Sequence, residues 1–122
     1  GPWVIEEYVT AGGTNLALRF VSGLDRQDEV EAIALLKLLA ERGNTLRMPH
    51  SKPLGKGLFE LRGQQVRLFY TFRPGRRIVL LDGLVKKRGD IPAAAVARLR
   101  GLAAEVKAQE ATGKDPVRKS ET

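Results

Sequence analysis

The chain has 122 residues, of which 43% are hydrophobic and 29% charged, and it carries a formal net charge of +7 with no cysteine and one histidine. This length suits one domain with a single core, and the lack of thiols together with the lone His50 excludes disulfides and a thiolate-rich or histidine-rich zinc site. For the same reason, the sequence predicts a protein that uses no metal or cofactor. Because no apolar run approaches the roughly 18 residues of a membrane span, it also predicts a soluble cytoplasmic protein.

The predicted domain covers residues 3–110. Gly1-Pro2 resembles the scar of a protease cleavage and is expected to lie outside the fold. From residue 111 to residue 122 the chain mixes glycine, proline and polar residues, which predicts a flexible C-terminal tail.

The first part of the chain predicts one strand and two helices. Residues 3–9 are rich in β-branched and aromatic side chains and predict a strand. Residues 16–24 fit either a hairpin strand or one face of a short helix, and the helix is favoured. Residues 25–42 predict a long helix, because Asp25 can cap its start, acidic residues follow in its first turn and Gly43 supplies a left-handed end.

The second part predicts a loop and a β-meander. Residues 44–56 contain two prolines and predict an ordered loop. Residues 58–62, 66–72 and 78–85 predict three strands, and the turn-forming residues between them favour antiparallel pairing. Alternation places Val66, Leu68, Tyr70 and Phe72 on one face of the middle strand and Arg67, Phe69 and Thr71 on the other.

A last helix begins near Asp90 and Pro92, and one side of it is apolar enough to pack on the sheet. The predicted fold is therefore α+β, with N-terminal helices and a C-terminal helix packed on a twisted, mostly antiparallel sheet of about four strands.

Basic residues are concentrated after the long helix. Residues 1–45 contain four Lys or Arg and seven Asp or Glu, whereas residues 46–122 contain seventeen and seven. Between Arg47 and Arg88, eleven basic residues accompany only two acidic ones. A cationic loop and sheet surface attracts phosphate, so this distribution predicts RNA binding.

Cationic side chains suit the metal-free cleavage of RNA by its own 2′-hydroxyl. The substrate supplies the nucleophile, and the protein must bend the backbone, stabilise a phosphorane and move two protons. Arginine suits the second task because its guanidinium can bind two phosphate oxygens at once. A serine-hydrolase reading of Ser51 beside His50 lacks the third, orienting group, and the glycines form no phosphate-binding loop.

Several segments carry a family resemblance. In order and spacing, the chain from Trp3 to about Glu110 resembles the phage-derived branch of the HigB-like toxins in the RelE/ParE superfamily. The resemblance implies a RelE-like fold and a toxin of a type II toxin-antitoxin system that cuts mRNA on the ribosome and so inhibits translation. The segments that carry it are MPHSKPL (48–54), GLFELR (57–62), RLFY (67–70), IVLL (78–81) and VKK (85–87).

The same resemblance implies two partners. One is the ribosome with its mRNA. The other is a HigA-like antitoxin with a helix-turn-helix domain, through which alone the toxin would reach operator DNA.

Carried over by position, Arg67 matches the strand arginine that RelE-like enzymes use against the scissile phosphate. Lys86 or Lys87 matches a basic residue after the last strand, and Arg62 and Lys52 lie in the same motifs. The predicted catalytic set is Arg67, Arg62, Lys52 and Lys87, with His50 and Lys56 added for proton transfer. The predicted RNA contacts are Arg47, Lys86, Arg88 and Arg73.

The chain departs from the RelE pattern in three places. Glu60 stands where RelE has a catalytic lysine, Asp82 replaces a histidine common in this branch, and no tyrosine follows the last strand, where Ile91 stands. Proton transfer then falls to Lys52, Lys56 or His50.

Simpler roles compete with these. Arg67 can pair with Glu60 across the sheet, His50 can serve local backbone groups, and the loop lysines can be solvated surface. Two other functions also use this fold: a ParE-like poison of DNA gyrase, and a non-catalytic regulator that binds only its antitoxin.

Overall fold

A computed structural model of the chain describes residues 2–87, 89–112 and 117–119, and the side chains of residues 2–87 and 89–111. A short 3-10 turn, Gly43–Thr45, precedes β2. The elements in chain order are β1 (Val4–Tyr8), α1 (Leu16–Ser22), α2 (Arg26–Arg42), β2 (Ser51–Gly55), β3 (Leu58–Arg62), β4 (Val66–Arg73), β5 (Arg77–Val85), α3 (Ala93–Thr112) and β6 (Val117–Lys119).

The strands form one sheet in the order β2-β3-β4-β5-β1-β6. β1 runs parallel to β5, and every other neighbouring pair is antiparallel. The α+β class and the mostly antiparallel sheet are confirmed, but the sheet has six strands where about four were predicted.

Both N-terminal helices begin at capping residues. Asn15 Oδ1 accepts a hydrogen bond from the Leu18 N–H at 3.0 Å, and Asp25 Oδ1 accepts one from the Asp28 N–H at 2.8 Å. Each cap satisfies a backbone donor that has no partner within its helix. The helical prediction for the ambiguous segment is confirmed, and α2 ends at Gly43, whose φ of 52° favours glycine.

The sheet is the middle layer, with α1 and α2 on one face and α3 on the other. The predicted alternation in β4 is confirmed, because Val66, Leu68 and Tyr70 join the core under α1 and α2, whereas Phe69 joins the core under α3. β5 is apolar on both sides because its residues also contribute to both cores. The α3 residues that pack on the sheet are Val96, Leu99, Ala103 and Val106.

The predicted loop at residues 44–56 is wrong at its C-terminal end, where Ser51–Gly55 forms strand β2. This strand lies at the edge of the sheet, and an edge strand tolerates Pro53 because one side of its backbone needs no hydrogen-bonded neighbour. The following turn has positive φ at both Lys56 (57°) and Gly57 (81°), as a tight hairpin requires.

Part of the predicted tail has regular structure. α3 continues to Thr112, and Val117–Lys119 pairs antiparallel with β1. The rest of the predicted tail, residues 113–116 and 120–122, lies outside the part of the chain that the structure describes. Among the described residues, no helix has the length and apolar character needed to cross a membrane.

Candidate functional site

Four polar residues lie side by side on the face of the sheet that α3 packs against. In the register of the strands, Lys52 of β2 is opposite Glu60 of β3, and Arg62 of β3 is opposite Arg67 of β4. Cross-strand partners and residues two apart point to the same face of a sheet. The structure therefore brings together three predicted catalytic residues around Glu60.

The Glu60 carboxylate lies between two guanidinium groups. Its Oε1 is 3.4 Å from Arg62 Nε, and its Oε2 is 3.5 Å from Arg67 Nε. The side chains of Glu60 and Arg67 are only 4% and 9% exposed, whereas that of Arg62 is 26% exposed. Arg62 is thus the member of this ion-paired group that solvent reaches.

Arg67 is held from a second direction by the backbone. Its Nη1 donates to the carbonyl oxygens of Gly63 and Val66, the latter at 3.2 Å. Together with the Glu60 contact, these bonds enclose the guanidinium, so the geometry matches the simpler role in which Arg67 pairs across the sheet. The direct contact of Arg67 with a phosphate stays a prediction, and only 9% of this side chain is exposed.

Arg62 and His50 line one open cleft of about 600 Å³ at the end of β3. The Arg62 N–H donates to the His50 carbonyl at 2.8 Å, which ties the loop before β2 to the last residue of β3. The Arg62 guanidinium also contacts Met48 Sδ at 3.6 Å. The other lining residues are Gln27, Val30, Glu31, Leu35, Pro49, Gly63 and Gln64.

The helical wall of the cleft is fixed by Glu31. Its Oε1 accepts the backbone N–H groups of Val66 at 3.0 Å and Gln65 at 3.3 Å. Gly63 makes this approach possible, because a Cβ at that position would lie 2.3 Å from the same oxygen. Glu31 Oε1 is therefore occupied within the protein, although Glu31 borders the cleft.

The basic residues after β5 reach the same end of the sheet. The Lys86 N–H donates to the Gln65 carbonyl at 2.7 Å. Lys87 acts on Asp28 in the first turn of α2: desolvation and the neighbouring carboxylates raise the pKa of Asp28, and the charge of Lys87 offsets part of this rise. Lys87 therefore lies towards α2, and Arg88 lies outside the described residues.

Three predicted site residues lie elsewhere. Lys56 is in the turn at the opposite end of β3 from Arg62, and Arg47 lines a different cavity on the face that α1 and α2 cover. Arg73, at the far end of β4, is 5% exposed and ion-paired with Glu6 at 3.6 Å and with Glu110. The RNA contact of Arg73 stays a prediction, and in this structure two carboxylates already neutralise its guanidinium.

Sequence reasoning anticipated the pairing of Arg67 with Glu60, because alternation along β3 places Glu60 on the face of Arg67. It missed the structural part played by a second acidic residue, Glu31. Nothing in the local sequence marks Glu31, because its partners are backbone groups 34 and 35 residues later in the chain.

Comparisons with known proteins agree with this fold. Residues 19–102 match the family described as phage-derived, Gp49-like proteins (DUF891). A solved structure of the toxin-antitoxin complex RelBE2 from Mycobacterium tuberculosis is similar with a TM-score of 0.52 and 20% sequence identity, over 70% of this chain and 100% of that chain. This likeness shows the RelE-like fold. No curated protein was found to match the chain.

Proposed function

Because the chain belongs to the family of phage-derived Gp49-like proteins, and its fold is that of a chain in a toxin-antitoxin complex, we propose that it is the toxin of a type II toxin-antitoxin system. In this proposal it is a metal-independent endoribonuclease that cuts mRNA on the ribosome, in the cytoplasm, and so inhibits translation. A HigA-like antitoxin with a helix-turn-helix domain holds it inactive.

One observation carries the nuclease proposal: Arg62 and His50 line the same cleft. An arginine can bind two oxygens of the scissile phosphate, and an imidazole takes up or releases a proton near neutral pH. Stabilising the phosphorane and moving protons are two of the demands that cleavage by the 2′-hydroxyl makes of a protein. The cleft is also large enough for a nucleotide, since ligand sites in proteins are commonly about 300 to 1,000 Å³.

The proposed reaction is an in-line transfer. His50 takes the proton of the 2′-hydroxyl, whose oxygen forms a bond to phosphorus while the bond from phosphorus to the 5′-oxygen breaks. Arg62 stabilises the extra negative charge of the phosphorane. Lys52, two residues from His50 and opposite Glu60, gives a proton to the departing 5′-oxygen, so the products carry a 2′,3′-cyclic phosphate and a 5′-hydroxyl.

Glu60 and Arg67 act as positioning residues in this scheme. Glu60 binds Arg62 through Nε, which leaves the terminal nitrogens of that guanidinium directed elsewhere. Arg67 compensates the second oxygen of the carboxylate, so Glu60 does not add an uncompensated negative charge beneath a phosphate site.

The test is to induce the protein in growing cells and to map RNA 5′ ends across all transcripts. Cuts within translated codons are expected, and they should disappear with Arg62→Ala and with His50→Gln. Arg19→Ala is the matched control, because Arg19 is an exposed arginine on α1, away from the cleft. Intact transcripts at the same protein level would overturn the nuclease proposal.

The burial of Arg67 favours a second candidate, because a sealed strand arginine contributes no direct phosphate contact. In that case the same fold acts by binding protein, either as a ParE-like poison of DNA gyrase or as a regulator that binds only its antitoxin. Intact transcripts with gyrase trapped on DNA would support the poison. Intact transcripts with normal growth would support the regulator.

A further inference from the structure

A second cavity lies beside the edge strand β2, on the face of the sheet that α1 and α2 cover. It has a volume of about 370 Å³ and shares no lining residue with the cleft of Arg62 and His50. The loop from Arg47 to Ser51 separates the two, since its middle borders the cleft and its two ends border the second cavity. The cavity is therefore a distinct pocket next to the proposed site of cleavage, and we call it the aromatic pocket.

Three contacting rings form the wall of the aromatic pocket. Phe59 and Tyr70 are stacked, with centroids 5.5 Å apart and planes at 20°, and Phe72 meets the Phe59 ring edge-on at 5.1 Å. Tyr70 is buried, whereas Phe59 and Phe72 are half-buried and line the cavity. Because each ring is braced by another, the wall offers an apolar aromatic surface that is already ordered.

The polar groups of the pocket are ordered too. At the mouth, the exposed Arg47 donates from Nη1 to the carbonyl oxygens of Asn44 at 2.6 Å and Leu46 at 3.3 Å. An exposed arginine normally samples many rotamers, and two backbone acceptors restrict this one. Inside, Ser51 Oγ and the Tyr70 hydroxyl share a hydrogen bond of 2.5 Å, which provides a polar point beside the rings.

We propose that the aromatic pocket binds a base of single-stranded RNA, with Arg47 binding the adjoining phosphate. Stacking on aromatic rings combined with a cation on the backbone is how proteins hold single-stranded nucleic acid. An apolar peptide side chain would use the rings but would gain nothing from a guanidinium fixed at the mouth. The many basic residues in this part of the chain also favour a nucleotide, because they attract its phosphate.

The inference rests on the proposed function for its substrate, because the base belongs to the strand that is cut in the neighbouring cleft. The pocket would then supply binding energy remote from the reacting phosphate. Together, the pocket and the cleft would hold the RNA strand on both sides of the loop from Arg47 to Ser51. Base binding itself is independent of cleavage and can be measured without a ribosome.

The test uses a 2′-O-methyl tetranucleotide with 2-aminopurine at one position, which cannot be cleaved by 2′-hydroxyl attack. Stacking in the pocket should quench the 2-aminopurine fluorescence and give a dissociation constant. Phe59→Leu should weaken binding by about tenfold, since one base stacked on an aromatic residue contributes on the order of 1–3 kcal/mol. Arg47→Ala should weaken binding by about the same factor, because a charge-assisted contact with the phosphate is lost. Lys107→Ala is the matched control, because it removes one exposed cation on α3, across the sheet, and it should leave affinity within about twofold.

Arg47 is exposed, so its substitution should not impair folding, and urea unfolding will establish the state of Phe59→Leu. Equal affinities for Arg47→Ala and Lys107→Ala, or a probe that stays unquenched when bound, would overturn the aromatic pocket as a base site. Quenched binding with the expected pattern, in a protein that leaves transcripts intact, would support the pocket and overturn only the nuclease proposal. Cleavage within codons by a protein that does not quench the probe would support the nuclease proposal and overturn only the aromatic pocket.

Discussion

Arg67 and Glu60 form a buried ion pair across β3 and β4, with Nε and Oε2 3.5 Å apart and both side chains less than a tenth exposed. A pair of this kind stabilises little compared with an apolar pair of similar volume, but the loss of one partner strands the other charge away from water. The pair is therefore expected to affect the free energy of unfolding mainly when only one of its partners is removed.

We expect Glu60→Ala to lower the free energy of unfolding by about 3–5 kcal/mol, because Arg67 is left buried without its counter-charge. The double substitution Glu60→Met with Arg67→Met should cost far less than the single one. Arg98→Ala is the control, since Arg98 is 53% exposed and its pair with Asp82 should contribute only about 0–1 kcal/mol. Urea unfolding measures all three, and equal losses for the single and double variants would contradict the buried-charge explanation.

Gly43 is expected to reject any side chain for two separable reasons. Its φ of 52° disfavours other residues, and a Cβ would lie 2.0 Å from Trp3 Nε1. Gly13 has a φ of 88° and open space around it, so Gly13→Ala isolates the conformational cost of about 1–2 kcal/mol. Gly43→Ala should cost about 1–3 kcal/mol more, because the Trp3 ring must move.

The emission of Trp3, the only tryptophan of the chain, provides a second measurement. It should shift in Gly43→Ala and stay unchanged in Gly13→Ala. Similar stabilities and spectra for the two variants would show that the Trp3 contact is unimportant.

The contact between Glu31 and Gly63 predicts non-additive substitutions. Gly63→Ala places a Cβ 2.3 Å from Glu31 Oε1 and should force the carboxylate away from the Gln65 and Val66 N–H groups. We expect a loss of about 1–3 kcal/mol, typical of backbone donors left without a partner. In a Glu31→Ala background the same change should cost clearly less, because the clash is gone.

A double-mutant cycle by urea unfolding checks this coupling. Additive losses would mean that Gly63 acts through its backbone alone. Since both residues line the cleft, Gly63→Ala should also reduce RNA cleavage in cells.

Stability should fall at high pH because of Tyr8. Burial, then the hydrogen bond to Glu105 and its charge, raise the pKa of Tyr8 from 10.0 to about 12. The folded protein therefore holds this proton more tightly than the unfolded chain, so the contribution is fully present below pH 10 and is lost as the pH rises towards 12. The contact involved is the 3.0 Å bond from the Tyr8 hydroxyl to Glu105 Oε2.

Urea unfolding between pH 8 and pH 12 should show a smaller decline in Tyr8→Phe than in the wild type. A decline will remain in the variant, because burial also raises the pKa of Tyr70, against a lowering effect of its hydrogen bond with Ser51. Identical slopes for the two proteins would refute the assignment to Tyr8.

Local patterns predicted most of the secondary structure because their causes are local. The Asp25 cap and the Gly43 end of α2 depend on neighbouring backbone groups, and the two faces of β4 follow from alternation. β2 was missed because Pro53 and Gly55 have the composition of a loop, and only its position at the sheet edge makes a strand there acceptable.

The sequence by itself determined the order of the elements, their apolar faces and the concentration of basic residues after α2. Only the tertiary structure decided which of those cations remain available. Register and burial enclose Arg67 and Arg73 with carboxylates from other elements, whereas Arg62 stays at a cleft and Arg47 at the mouth of a pocket. The physical reason is that a charge is neutralised by whatever lies beside it in space, and composition carries no information about that neighbour.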